Sequence, residues 1–231
     1  MSAKIIVSYD GTANEDDAVA LGRTFARAGA EVSLAYVRHS PEAEVAREQI
    51  AQREAQEILD RGVELLGDPA AGRHVVIDRS TPEGLATLAD AEGADVIVFC
   101  SDSHTAKGHV AIGNSAERLL GGGRHAVAIA PVDLAELSDA AVRSIVAVGD
   151  ADGGARETAD ALAAALGANV EPVANRDAGL IVLDSRPEVE DGRVGLSSSA
   201  SHLIEIATCP ILVLPRGRRL RFDRSQAATA A

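Results

Sequence analysis

Aromatic side chains are scarce in this sequence: five of its 231 residues are tyrosine or phenylalanine, and none is tryptophan. The apolar fraction is nevertheless an ordinary 46%, so the core must be built from alanine, valine, leucine and isoleucine. Such a core suits helices packed on a parallel sheet. The length fits one large domain or two small ones.

Cysteines and long apolar runs are also few. Cys100 and Cys209 are the two cysteines, which does not indicate a disulfide framework. The sequence has no apolar run of membrane-spanning length and enters a strand pattern at once, without a signal-peptide pattern. We therefore expect a soluble cytoplasmic protein with no membrane partner.

Basic residues are outnumbered, 22 against 35 acidic ones, which gives a net charge of −13. This charge opposes binding to a nucleic-acid backbone, so no nucleic-acid partner is expected. An arginine-rich segment near the C-terminus is the local exception. It has no periodicity, and residues 218–231 are predicted to form a disordered tail.

The first 130 residues alternate short apolar runs with helical patterns. Strands are predicted at 4–8, 31–37, 74–77, 96–100 and 126–130. The helices between them are predicted at 14–28, 41–66, from 81 and from 115. This alternation predicts a doubly wound α/β domain over residues 1–132, with a parallel five-stranded sheet and right-handed crossovers.

A shortened copy of this pattern follows an acidic linker. Strands are predicted at 144–148, 170–173, 180–183 and 211–214, and helices at 155–166 and 198–206. One fixed offset in residue number aligns the ends of the two halves and places Pro131 on Pro215. Their beginnings align at a larger offset, which places Asp10 on Asp150. The second half, residues 143–217, therefore lacks a segment that corresponds to the long helix, the third strand and the helix after it.

Three stretches carry a family resemblance: KIIVSYDGTANEDDAVALG, GADVIVFCSDS with IGNSAERLL and AVAIAP, and GLIVLDSRPEVEDGRVGLSSSASHLIEIATCPILVLPRG. With these elements in this order, the chain resembles the universal stress protein family in its tandem form. The resemblance implies a strand order of 3-2-1-4-5 and a role in the stress response. It also implies that the two halves pair within the chain through their last strands.

The resemblance further implies a binding site for ATP, with Mg²⁺, beside strands one and four. In the family an acidic residue after strand one and a position at the end of strand two hold adenine, and a loop of pattern G-x2-G-x9-G-[S/T] holds ribose and phosphates. The matching positions here, with the serine that follows them, are Asp10, Val37, Cys100, Ser103, Gly113, Asn114 and Ser115.

This match departs from the family pattern at the loop, where Gly113 is the one glycine retained. Glycines there let the backbone approach phosphate oxygens and adopt positive φ. Cys100 adds a side chain at the first of these positions, while Lys107 or His104 are candidates to supply positive charge.

In the second half the loop positions fall on Asp184, Pro187, Ser197 and Ser198. Asp184 adds negative charge and Pro187 has no backbone N–H to offer an anion. The second half is therefore predicted to be a structural partner that binds no nucleotide.

Two other chemistries compete with this interpretation of the loop. Cys100, Asp102, His104 and His109 could form a metal site, but their spacing fits no known zinc pattern. Cys100 could also be a redox thiol, although cysteines at strand ends are mostly small core residues.

A phosphoacceptor site at Asp10 would need a second acidic neighbour, which the sequence does not place there. No nucleophile, base and orienting group converge by spacing, so we expect no enzyme activity. The alternative hypothesis is an interaction module for an unidentified protein partner, in which both loops have lost nucleotide binding.

Overall fold

A computed structural model describes residues 2–137, 142–149, 153–172 and 178–223. Its strands are β1 Lys4–Ser8, β2 Glu31–Arg38, β3 Gly72–Ile77, β4 Val96–Cys100, β5 Ala126–Ala130, β6 Ser144–Val148, β7 Asn169–Glu171, β8 Leu180–Asp184 and β9 Ile211–Leu214. Its α-helices are α1 Glu15–Arg27, α2 Val45–Leu66, α3 Thr81–Glu92, α4 Asn114–Leu120, α5 Gly154–Leu166 and α6 Ser198–Glu205.

Within the described residues all strands belong to one nine-stranded sheet, in the order β3-β2-β1-β4-β5-β9-β8-β6-β7. The first five strands are parallel and follow the predicted order 3-2-1-4-5. Side chains of the central strands are buried on both faces, where they form two core clusters under the helices. Continuous apolar runs such as those of β4 and β5 are what a sheet covered on both faces requires.

The two halves join through β5 and β9, which pair antiparallel. The paired positions are Val127 with Val213, Ala128 with Leu212 and Ile129 with Ile211. Ala128 and Leu212 are also equivalent positions of the two halves under the offset that overlays their ends. A pseudo-two-fold axis therefore passes between them, and the predicted pairing of the halves through their last strands is confirmed.

The same hydrogen bonds recur in the two halves at the predicted offset. The Ser101 hydroxyl donates to the Ala130 carbonyl, and the Ser185 hydroxyl donates to the Leu214 carbonyl, both at 2.6 Å. The loop after each of these serines then returns an N–H to the serine oxygen at 3.1 Å. The second half is thus a structural copy of the end of the first.

The prediction of a disordered tail is wrong for residues 218–223, which pack on α5 of the second half and on the first half. The Phe222 ring stacks on Phe25 with the ring centres 6.1 Å apart, and the Ala3 N–H donates to the Arg221 carbonyl at 2.8 Å. Leu220 and Phe222 are buried despite their basic neighbours, and both belong to one of the two core clusters. Residues 224–231 lie outside the described residues.

Some element boundaries also differ from the predicted ones. The long helix begins at Val45 rather than at residue 41. The Glu48 carboxylate accepts the Glu42 N–H at 2.8 Å, so the preceding residues form a turn held by the helix's first acidic side chain. β3 begins at Gly72 rather than at residue 74, and β7 ends at Glu171. Among the described helices, none is long and apolar enough to cross a membrane.

Candidate functional site

A cavity of about 720 Å³ opens at the carboxyl ends of β1, β2 and β4. β1 has β2 on one side and β4 on the other, so the chain leaves β1 and β4 in opposite directions here. Such a switch point is where open α/β sheets bind ligands. The cavity is lined by all seven predicted site residues, which are Asp10, Val37, Cys100, Ser103, Gly113, Asn114 and Ser115.

At the end of β1, Asp10 is held by the turn that leads into α1. Its Oδ1 accepts the Thr12 N–H at 2.9 Å, and its own backbone N–H donates to Glu15 Oε2. Glu15 stands in the first turn of α1, next to Asp16, whose carboxylate accepts the Tyr9 hydroxyl at 3.0 Å. The loop is therefore fixed by its own acidic side chains.

The carboxyl groups of Asp10 and Glu15 influence each other's pKa. Burial and the hydrogen bond with Asp10 raise the pKa of Glu15 to about 9. Burial also acts to raise the pKa of Asp10, but the hydrogen bonds from Glu15 and Thr12 outweigh it and hold that pKa below its usual value. At neutral pH the pair thus shares one proton and carries one negative charge.

At the end of β2, sequence reasoning missed Arg38. Arg38 lines the cavity, and its guanidinium binds Glu48 in a two-pronged ion pair, with N–O distances of 2.7 and 2.9 Å. Hydrogen bonds from Arg38 and from the Glu42 N–H lower the pKa of Glu48 to about 2. The available signal was an arginine that ends the apolar run of β2, but its partner on α2 becomes evident only after folding.

At the end of β4 the loop lies against β5 because the Ser101 hydroxyl is buried between two backbone groups. Cys100, Asp102 and Ser103 of this loop line the cavity. Gly113 has φ −76 and no atom within 4 Å of where a Cβ would stand. Its backbone therefore does not require glycine, contrary to the expectation of positive φ, and what the glycine provides is room.

The predicted cations of this loop do not line the cavity. Lys107 forms an ion pair with Asp133 at 2.7 Å, and His104 is not among the lining residues. Arg38 and His39 are the basic side chains at the cavity wall.

Neither alternative chemistry for the loop finds support in the geometry. Burial raises the pKa of Cys100 to about 12, so its sulfur is a thiol rather than a reactive thiolate at neutral pH. In the part of the chain that the structure describes, no three His, Cys, Asp or Glu side chains are grouped to hold a metal. Asp78, the acidic residue after β3, bears on the phosphoacceptor hypothesis for Asp10. It accepts the Ser80 N–H at 2.9 Å before α3 and is not among the residues that line the cavity.

The corresponding positions of the second half are used differently. Asp184 Oδ1 accepts the Ala155 N–H in the first turn of α5, and a Cβ at Gly149 would collide with the Asp184 carboxylate. The Ser197 hydroxyl caps α6 by accepting the Ala200 N–H at 3.1 Å. In the second half, Asp184 and Ser197 thus bond backbone N–H groups of the helices α5 and α6. Asp150 lies outside the described residues.

Solved structures similar in fold include a universal stress protein from Archaeoglobus fulgidus DSM 4304, with a TM-score of 0.65 and 15% identity over 94% of this chain and 100% of that one. A protein of unknown function from Pseudomonas aeruginosa PAO1 matches with a TM-score of 0.60 and 13% identity over 99% of this chain and 95% of that one. A universal stress protein from Archaeoglobus fulgidus in complex with dAMP overlaps less, with a TM-score of 0.35 and 19% identity over 42% of this chain and 80% of that one. The search among curated proteins found no match.

The family model of the universal stress protein family matches residues 1–131, which is more than half of the chain. The matched segment ends just after β5 and contains the whole cavity wall described above. The chain therefore belongs to the universal stress protein family.

Proposed function

We propose that the first half binds an adenine nucleotide, for which the family resemblance names ATP, and acts in the cytoplasm as a non-catalytic sensor in the stress response. The observation that carries this proposal is the cavity at the switch point of the sheet, lined by every residue predicted for the nucleotide site. Its volume lies within the range of about 300–1,000 Å³ typical of small-molecule sites.

The two ends of the cavity offer different chemistry for such a ligand. At the ends of β1 and β2, Asp10 and the backbone around Val37 offer hydrogen-bonding groups to a base. At the end of β4, the space beside Gly113 and the hydroxyl of Ser115 would face the sugar and phosphate. Glu15 contributes indirectly, because its contacts with Asp10 fix the position of that carboxylate.

The proposal assigns no catalytic residue. Cys100 is protonated at neutral pH, and the Ser101 hydroxyl already bonds two backbone groups. Neither side chain has, among its described contacts, an activating base of the kind that nucleophilic catalysis uses. We therefore propose that a ligand of this cavity is bound rather than converted.

Isothermal titration of the full chain with ATP, ADP and AMP, with and without Mg²⁺, tests the proposal. We expect saturable heat with at least one of them, and an Asp10→Ala variant should lose it. Asp160→Ala is the matched control, because this carboxylate pairs with Arg156 on the surface of α5 and should not affect binding. Absence of heat with all adenine ligands at high micromolar protein would refute the proposal.

One observation favours the alternative, an interaction module that works without a nucleotide and recognises a protein partner. Cys100 and Ser103 put side chains where the family loop has glycines, and Lys107 is tied to Asp133. Denaturing the purified protein and analysing what it releases decides between the two. A copurified adenine nucleotide would count against the interaction module.

A further inference from the structure

The charges around the cavity bear on how many phosphates the ligand carries. We propose, on the basis of the function proposed above, that the cavity prefers adenosine or its monophosphate over ADP and ATP. The preference arises at the end of β4, where the loop that lines the cavity carries the carboxylate of Asp102.

Acidic side chains outnumber basic ones among the residues that line the cavity. Asp10 and Glu15 share one proton and contribute one negative charge, while Glu42 and Asp102 add one each. Asp102 is the one on the loop after β4, and it is held there because its Oδ1 accepts the His104 N–H at 3.0 Å. A ligand that extends along this loop brings its phosphates towards that carboxylate.

The strong cation of the wall is already neutralised. Arg38 is 8% exposed, and its two terminal nitrogens bind the Glu48 carboxylate at 2.7 and 2.9 Å. The pKa of Glu48 is lowered to about 2, so this partner keeps its negative charge at any physiological pH. A bound phosphate would have to compete with Glu48 for the guanidinium.

The loop itself offers no compensating charge among the described residues of the cavity lining. Lys107 is paired with Asp133 at 2.7 Å, and Asp133 in turn is fixed by its N–H donating to Asp17 Oδ2 at 2.9 Å. Cys100 and Ser103, which line the cavity, lack the backbone freedom that glycine would give this loop for a close approach to an anion.

These features act on the phosphates and leave the base site unaffected. Each phosphate beyond the first adds negative charge, and its repulsion from Asp102 grows as the separation shrinks. The polar and apolar groups at the ends of β1 and β2 are as accessible to adenosine as to ATP. The phosphate chain therefore lowers affinity here rather than raising it.

Titration of the full chain with adenosine, AMP, ADP and ATP at low ionic strength and without Mg²⁺ tests this preference. We expect adenosine or AMP to bind about tenfold or more tightly than ATP. Raising the salt concentration to about 0.5 M should reduce this difference in affinity, because salt screens the repulsion between the phosphates and Asp102.

The variant Asp102→Asn removes the charge and keeps the oxygen that accepts the His104 N–H. The ratio of ATP affinity to AMP affinity should rise several-fold in it, and Ser103→Gly should act in the same direction. Glu188→Gln makes the same change of charge on an exposed side chain of the second half and should leave the ratio unaltered.

The outcomes separate this inference from the proposed function. If ATP binds the unmodified chain as tightly as AMP or more tightly, the preference is overturned while adenine binding stands. An Asp102→Asn variant with an unchanged ratio would overturn the electrostatic cause. If none of AMP, ADP and ATP binds, the proposed function itself fails.

Discussion

At the scale of single residues, the Asp10–Glu15 pair makes stability depend on pH. The pKa of Glu15 is about 9 in the folded chain, far above the ordinary value near 4.5. Between these two values the folded state keeps a proton that the unfolded chain has released, so the free energy of unfolding falls as pH rises through this window. Glutamine at position 15 remains neutral and can form the same hydrogen bonds.

Glu15→Gln should therefore stabilise the protein at pH 8 by on the order of 1 kcal/mol, which raises Tm by about 2–4 °C. At pH 4 the side chain at position 15 is neutral as glutamate and as glutamine, so the stabilisation by Glu15→Gln should disappear. Thermal unfolding measured across this pH range checks the prediction. Glu57→Gln, on the exposed face of α2, is the control and should show no such trend; an equal gain at pH 4 and pH 8 would contradict the assignment.

At the scale of elements, the strands could be predicted because their signal is local. An apolar run such as that of β4 is recognisable in five residues, and the ends of β1 and β4 then locate Asp10 and the loop. The roles of charged side chains could not be predicted in the same way. The acidic residues that begin α1 match the helix dipole in sequence, yet Glu15 bonds Asp10 and Asp17 bonds the chain after β5.

The C-terminal segment, residues 218–223, shows even more clearly that contacts with distant residues cannot be predicted from local sequence. Its arginines indicate a solvated tail, whereas Phe222 and Arg221 contact Phe25 and Ala3, near the opposite end of the chain. Local composition contains no information about such a distant partner. The Arg38–Glu48 pair escaped prediction for the same reason, because it joins a strand end to a helix across a turn.

The stacking of Phe222 on Phe25 ties the end of the second half to α1 of the first. Phe222→Ala removes a ring that is 9% exposed and should lower the free energy of unfolding by about 3 kcal/mol. Urea denaturation followed by circular dichroism measures this loss. Leu137→Ala, at a side chain that is 62% exposed, is the control and should change stability by less than about 0.5 kcal/mol. Equal stability of the two variants would show that the segment contributes little.

At the scale of the whole molecule, the chain is built like a symmetric dimer in one polypeptide. The Val110 N–H donates to the Ala207 carbonyl, and the Val194 N–H donates to the Gly123 carbonyl. The two bonds are equivalent, because the alignment of the two halves places Val110 on Val194 and Gly123 on Ala207. The loop after β4 is therefore anchored on the second half, and the loop after β8 on the first. The two halves differ at the loop after the fourth strand of the family fold. In the first half this loop borders the cavity, whereas in the second half Asp184 and Ser197 bond α5 and α6.

This architecture predicts that the first half alone will dimerise. A segment of residues 1–137 contains the complete sheet from β3 to β5 but leaves the β5 edge and the Val110 N–H without their partners from the second half. A second copy can satisfy both, since Ala128 lies on the pseudo-two-fold axis and the pairing is self-complementary. Light scattering should give twice the segment mass for residues 1–137 and a single mass for the full chain. A folded segment that stays monomeric, with folding checked by circular dichroism, would show that the β5–β9 contact depends on side chains that only the second half provides.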